Sequence, residues 1–322
     1  MEHSESKLLQ NLRAFSRYCI LAGIFTTVIS LPFGGIPIAW QVALALIALT
    51  VGIPHGAVDH LITVPKFASL KMAAFLLGYL AVVGLAIWAM LSSNLLGFQL
   101  VVLMSAIHFG LGDAAFISEL NARSRQVATD RKVGKFPKIP YLVASGFMPV
   151  VVPLVSGQST QALAAVNPKL IDWAGGLAPA LFVLMLVVGV VSIAWMLAAK
   201  RPQEALDLAL LLTLTLVTPP LVAFAFYFGL WHALRHTGRI SLEYKKSKEQ
   251  HKLGKSGRAF WSAVWAGAPA LAIVLGFTGF LGLTNSLNLS QQFLWYLLVV
   301  IWALTVPHMA LTLRLDVKAL GR

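Results

Sequence analysis

The chain has 322 residues, of which 58% are hydrophobic and only 11% charged, with a mean hydropathy of +0.79. Soluble domains carry about 25% charged residues, so this composition cannot cover a water-exposed surface and excludes a soluble globular protein. The formal charge of +13 lies in short Lys/Arg segments between apolar runs rather than in a continuous basic stripe, which argues against a nucleic-acid partner; the single cysteine, Cys19, excludes an intrachain disulfide.

Apolar segments lie at residues 18–35, 38–57, 70–92, 95–117, 139–156, 174–199, 203–218, 220–238, 259–283 and 291–313. A segment of roughly 20 helical residues spans a bilayer, and inside lipid only helices or closed barrels satisfy their own backbone. The pattern predicts an all-α polytopic transmembrane helical bundle of about ten spans. One transmembrane catalytic domain, 18–315, lies between a cytoplasmic N-terminal segment, 1–17, and a cytoplasmic tail, 316–322. The first run follows a long mixed-charge leader without an evident small-residue cleavage site, so it is read as a retained span. Pro219-Pro220 is a strong turn signal and splits one long run into the seventh and eighth segments.

Alternating sides along ten spans gathers Lys7, Arg13, Arg17, Lys66, Lys71, Arg123 through Lys138, Lys200, Arg201, Arg239 through Arg258 and Arg314 to Arg322 on one face. The opposite loops carry only Lys169 as a positive charge. By the positive-inside rule both termini are cytoplasmic, and the expected location is the inner (plasma) membrane, with the lipid bilayer as partner. Without the split at Pro219 the basic loop around Lys245 to Lys255 falls outside, which argues for ten spans over nine.

Five histidines fall inside or at the end of apolar segments: His55, His108, His232, His236 and His308. Polar groups at bilayer depth are costly and face the bundle interior, so their shared depth suggests one site. His60 lies just beyond; His3 and His251 sit in polar stretches and carry no signal. His232 and His236, at i and i+4 in FGLWHALRH, share a helical face about 6 Å apart along the axis, a spacing that suits two ligands of one metal. The bland alternative is a pair of histidines hydrogen-bonding between helices.

In GIPHGAVD, Pro54 removes a helical hydrogen bond, and Asp59 at i+4 from His55 suits a carboxylate fixing a ligating imidazole, or else a helix end in cytoplasmic water. In SAIHFGLGD, Asp113 is about 140° around the helix from His108, too far to serve it, and is free to support another ligand. His308, in TVPHMALT, is a fifth ligand, a supporting donor, a substrate-pocket residue or a satisfied interhelical histidine. Phe109, Phe224, Phe226, Tyr227, Phe228 and Trp231 are either packing or the walls of a pocket for a flat conjugated substrate. An all-histidine site fits iron, copper or zinc better than magnesium or calcium.

IPHGAVD at His55, IHFGLGD at His108, PPLVAFAFYFGLWHALRH ending at His236 and TVPHMAL at His308 resemble the Brp/Blh family of membrane β-carotene 15,15′-dioxygenases, from about residue 38 to 315. The resemblance implies Fe(2+) held by His55, His108, His232 and His236, and symmetrical cleavage of β-carotene by O2 into two retinal molecules. It also implies a functional link to a microbial rhodopsin. Asp59, Asp113, His308, Phe109, Tyr227 and Trp231 are then candidates for supporting the ligands or lining the substrate pocket.

Other readings stand beside it. A membrane di-iron desaturase needs roughly twice as many nitrogen ligands. A metal-ion transporter, which also uses HxxxH, normally shows acidic residues along a central path and inverted repeats. A non-catalytic carotenoid-binding or opsin-assembly protein has no need of a full ligand set.

Overall fold

The computed structural model describes residues 2–58, 61–62, 70–127, 134–284 and 289–321. Helices account for the regular structure among these residues. The sequence runs α1 (Glu2–Ser30), α2 (Ile38–Gly56), α3 (Leu70–Ser92), α4 (Asn94–Val127), α5 (Lys138–Val155), α6 (Ser159–Val166), α7 (Ala178–Ala198) and α8 (Pro202–Val217). Helix α9 (Pro220–Phe224) passes through a π-helical segment (Ala225–His232) into α10 (Ala233–Glu243), and α11 (Lys245–Lys252), α12 (Ser256–Thr284) and α13 (Leu289–Leu320) complete it.

Every one of the ten apolar segments falls on a helix. Among the described residues, seven helical stretches are long and apolar enough to cross a membrane: Glu2–Phe33, Leu70–Ser92, Asn94–Ser124, Lys138–Val155, Gly175–Ala198, Ser256–Phe277 and Leu294–Leu320. The chain is therefore a multi-pass integral membrane protein. Three expected spans lie outside these seven. Helix α2 is apolar over Ile38–Pro54 among the described residues and carries Pro54 inside it. Helix α8 has 16 residues and at 1.5 Å per residue covers about 24 Å, less than the roughly 30 Å hydrocarbon core. The helix beginning at Pro220 carries the buried cations Arg235 and Arg239 in its second half. It suits a protein interior rather than lipid.

Helix α1 begins at Glu2, well before the expected apolar run, because Leu8, Leu9, Leu12 and Ser16 already bury one face of it. The break between α8 and α9 comes where expected, with both Thr218 and Pro219 extended.

Small residues let the inner helices approach closely, as membrane bundles require. Helices α4 and α5 cross at Gly110 and Gly146, where a Cβ on Gly146 would stand 2.7 Å from the Gly110 nitrogen. Helix α2 packs on both the π segment and α12, and α13 packs on α3, α4 and α12. These contacts bring α2, α4, the π segment with α10, and α13, which carry His55, His108, His232, His236 and His308, to one interior region.

Candidate metal centre

His108 on α4, His232 at the end of the π segment, His236 on α10 and His308 on α13 are all buried. The ring centroid of His108 is 5.1 Å from His232, 5.9 Å from His236 and 5.2 Å from His308, and His236 is 5.5 Å from His308. His232 and His236 are 5.8 Å apart with ring planes 17° from parallel, as expected of one helical turn. The Phe109 ring packs against His232 at 4.3 Å. Gly112 leaves room for that imidazole, since a Cβ there would stand 3.0 Å from His232 Cε1.

His55 lies in the last turn of α2, and its side chain is outside the described residues, as are Asp59 and His60 altogether. The neighbouring Gly56 faces the cluster; a Cβ on it would stand 3.4 Å from His308 Nδ1. The end of α2 therefore reaches the same place.

A metal–nitrogen bond of roughly 2.0–2.1 Å puts two imidazole centroids on one ion about 5 Å apart at tetrahedral angles. The observed separations fit that arrangement, and an all-imidazole donor set suits iron, copper or zinc. Among the described residues, no three His, Cys, Asp or Glu side chains already close as a ligand shell. The rings are gathered, not yet converged on a point.

An apolar cavity of about 670 Å³ reaches the cluster from the side of His108 and His308. It is lined there by Phe109, Phe228, Ile301 and Thr305, and at its other end by Leu80 of α3 and Ile273 of α12, both exposed on the outer surface. It therefore reaches the outer surface of the helix bundle. A second cavity, about 150 Å³, shares those four inner residues and is bounded by Phe224, Tyr227 and helices α5 and α6. Phe228, stacked on Phe224 at 5.2 Å, is one of these shared walls.

The other expected aromatics go elsewhere. Phe226 packs against α1, where a Cβ on Gly23 would stand 2.8 Å from its ring. Trp231 lines neither cavity; it is fully buried and its Nε1–H donates to Asp113 Oδ2 at 2.9 Å. Asp113 Oδ1 lies 3.9 Å from His232 Nδ1, so this carboxylate accompanies His232 rather than His108.

Behind Trp231 lies a buried charge network that the sequence reading missed. The Arg235 guanidinium sits 3.3 Å from the Trp231 ring centroid, its Nε donates to Ser16 Oγ at 3.0 Å, and Nη2 is 3.7 Å from Asp207 Oδ1. Asp207 also accepts from Arg13 at 2.8 Å and Arg17 at 2.6 Å. Arg13 and Arg17, read from the sequence as topology signals, are therefore also partners of a buried acid. The signal available was Asp207 itself, an acid set among apolar neighbours in EALDLALLL, where a partner is obligatory.

A second correction concerns His251, read as a loop residue without signal. It is fully buried, within hydrogen-bonding distance of Ser4 Oγ (3.2 Å) and Ser241 Oγ (3.3 Å), because α1 extends to Glu2 and covers it.

Residues 46–316 match the family model described as Beta-carotene 15,15′-dioxygenase. The chain is 30% identical over 280 residues to a Beta-carotene 15,15′-dioxygenase from an uncultured marine bacterium, 66A03, covering 84% of this chain and 91% of that relative. It is 25% identical over 321 residues to a Probable beta-carotene 15,15′-dioxygenase Blh from Halobacterium salinarum, covering 87% and 85%. No solved structure matches.

Proposed function

The chain belongs to the β-carotene 15,15′-dioxygenase family, which cleaves β-carotene to retinal, and from that premise we propose that its buried histidines hold one Fe(2+) ion beneath the apolar cavity. The observation that carries this reading is the gathering of His108, His232, His236 and His308 at the closed end of a cavity whose other end faces lipid. The ligands would be His55, His108, His232 and His236, and His308 lines the cavity wall beside His108.

The protein's share of the chemistry is placement. Phe109, Phe228, Ile301 and Thr305 set how far the polyene enters and which double bond stops over the histidines. Apolar walls keep water from the reacting carbons. When bound, the iron supplies the redox centre at which O2 reacts with the polyene. Both oxygen atoms end in the two aldehydes, so the stoichiometry is one β-carotene and one O2 to two retinals, with no reductant consumed.

The domain is the single stretch 18–315, in the inner (plasma) membrane with both termini cytoplasmic and about ten segments passing through or into the bundle. Retinal leaving through a lateral opening stays in the bilayer, which suits hand-over to a microbial rhodopsin.

The test is direct. Protein purified in detergent with ferrous iron and β-carotene should give retinal without a reductase or nicotinamide, and labelled O2 should appear in the aldehydes, allowing for exchange with water. A spectral shift of bound carotenoid without turnover would sink the enzymatic half of the proposal; retinal formation unaffected by a strong iron chelator would sink the metal half.

A further inference from the structure

Arg235 occupies a position that a membrane bundle rarely tolerates. It is fully buried, it lies between the two histidines of the HxxxH pair in sequence, and its guanidinium points away from the rings toward α1. A buried cation of this kind is strongly destabilising unless its charge and donors are met. Here Asp207 meets the charge at 3.7 Å from Nη2, Ser16 accepts from Nε, and the face of the guanidinium is laid on the Trp231 indole, while Nη1 and Nη2 make no hydrogen bond among the described residues.

We propose that Arg235 is a positioning residue for His232, seated by α1 and acting through Trp231 and Asp113; the inference rests on the metal reading above. The guanidinium fixes the indole by cation–π contact. The indole N–H in turn holds Asp113 Oδ2, which leaves Oδ1 facing His232 Nδ1 at 3.9 Å. A carboxylate on that side favours the imidazole tautomer protonated on Nδ1 and leaves Nε2 as the metal-binding nitrogen, the role carboxylates commonly play behind ligating histidines. Ser16 lies before the matched stretch 46–316. Helix α1 thus serves the metal centre as well as the fold.

The test uses the full-length protein in detergent, with Co(II) as a spectroscopic probe. Trp231→Phe keeps a ring beneath Arg235 and deletes only the N–H donor; Asp113→Asn keeps the shape and deletes the charge. Both should weaken Co(II) binding about 10- to 100-fold and shift its visible absorption. They should also lower kcat on β-carotene while leaving KM unchanged. Ser16→Ala, which removes a single oxygen on α1 and is the mildest change to the fold, should move the same readouts in the same direction by less. Wild-type Co(II) affinity and spectrum in these variants, whatever their melting temperatures, would overturn the proposal. A wild-type protein that binds neither Co(II) nor iron overturns the metal reading and this inference together, whereas binding that is equal in wild type and variants overturns this inference alone.

Discussion

Arg239 and Asp316 form an ion pair between α10 and α13, with Nη1 2.5 Å from Oδ1. Arg239 is three residues beyond His236 and Asp316 eight beyond His308, so the pair ties the two helices together one to two turns past their imidazoles. On its other side Arg239 meets Glu119 of α4, at 3.3 Å from Oε2. One guanidinium therefore sets the mutual spacing of three of the histidine helices. Removing Asp316 with alanine leaves the buried cation with Glu119 alone of these two acids and should cost up to about 3 kcal/mol. Thermal unfolding in detergent, compared with the milder Asp316→Asn, checks this; an unchanged transition in Asp316→Ala would show that the pair does not hold the helices.

Alanine at His232 or His236 should abolish retinal formation and strip bound iron while the helix content measured by circular dichroism stays as in wild type. His55→Ala and His108→Ala should behave the same way, and His60→Ala should keep most activity. Iron content per protein is the deciding measurement, and full occupancy in His236→Ala would remove it from the ligand set.

Gly112→Ala offers a gentler probe of the same centre. Its methyl would stand 3.0 Å from His232 Cε1, tighter than an ordinary van der Waals contact, so the imidazole must turn. Expression and melting temperature should change little, whereas iron affinity should fall. Wild-type iron affinity in this variant would mean that His232 has slack the packing does not suggest.

Phe228 lines both cavities, so Phe228→Ala should join them and let the polyene slide. The expected product is a mixture of retinal with off-centre apocarotenals, resolved by chromatography. Shifting the chain by one double bond moves the reacting carbons by only about 2.5 Å, within the margin where misplacement costs rate. Exclusive central cleavage would place the stop elsewhere in the cavity wall.

Burial lowers the pKa of His251 below its ordinary value; Arg123 also lowers it, and Glu5 opposes the shift. The folded state thus prefers the neutral ring. Its contribution to stability is complete above the unfolded pKa of about 6.5 and is lost as the pH falls below that value toward the folded pKa. Wild type should therefore melt at a lower temperature at pH 5 than at pH 8, and His251→Gln should flatten that difference. An equal acid dependence in both proteins would assign it to other groups.

The helices were readable because a membrane imposes local rules: roughly 20 apolar residues make a span wherever they occur. The HxxxH pair was readable for the same reason, since both residues sit on one turn. Asp207 with Arg13, Arg17 and Arg235 was not. Each pairing crosses between helices far apart in sequence, and an Arg near a helix end looks the same whether it faces the cytoplasm or a buried acid. His251 shows the limit most clearly, because KKSKEQHK is as polar as any exposed loop, yet the N-terminal turns of α1 and Ser241 of α10 close over it. The π segment also went unforeseen. A widened turn leaves no compositional mark in AFYFGLWH, although such turns recur at functional sites.

The mouth of the larger cavity between Leu80 and Ile273 changes what concentration means for this enzyme. In the proposed reading its substrate is dissolved in the bilayer, and the exposed apolar side chains at the opening suit acyl chains better than water. The quantity that saturates the site is therefore carotenoid per lipid. Diluting membranes in buffer leaves the turnover rate alone, while adding lipid at constant carotenoid slows it, so a Michaelis constant in molar units carries information only when the lipid content is stated beside it.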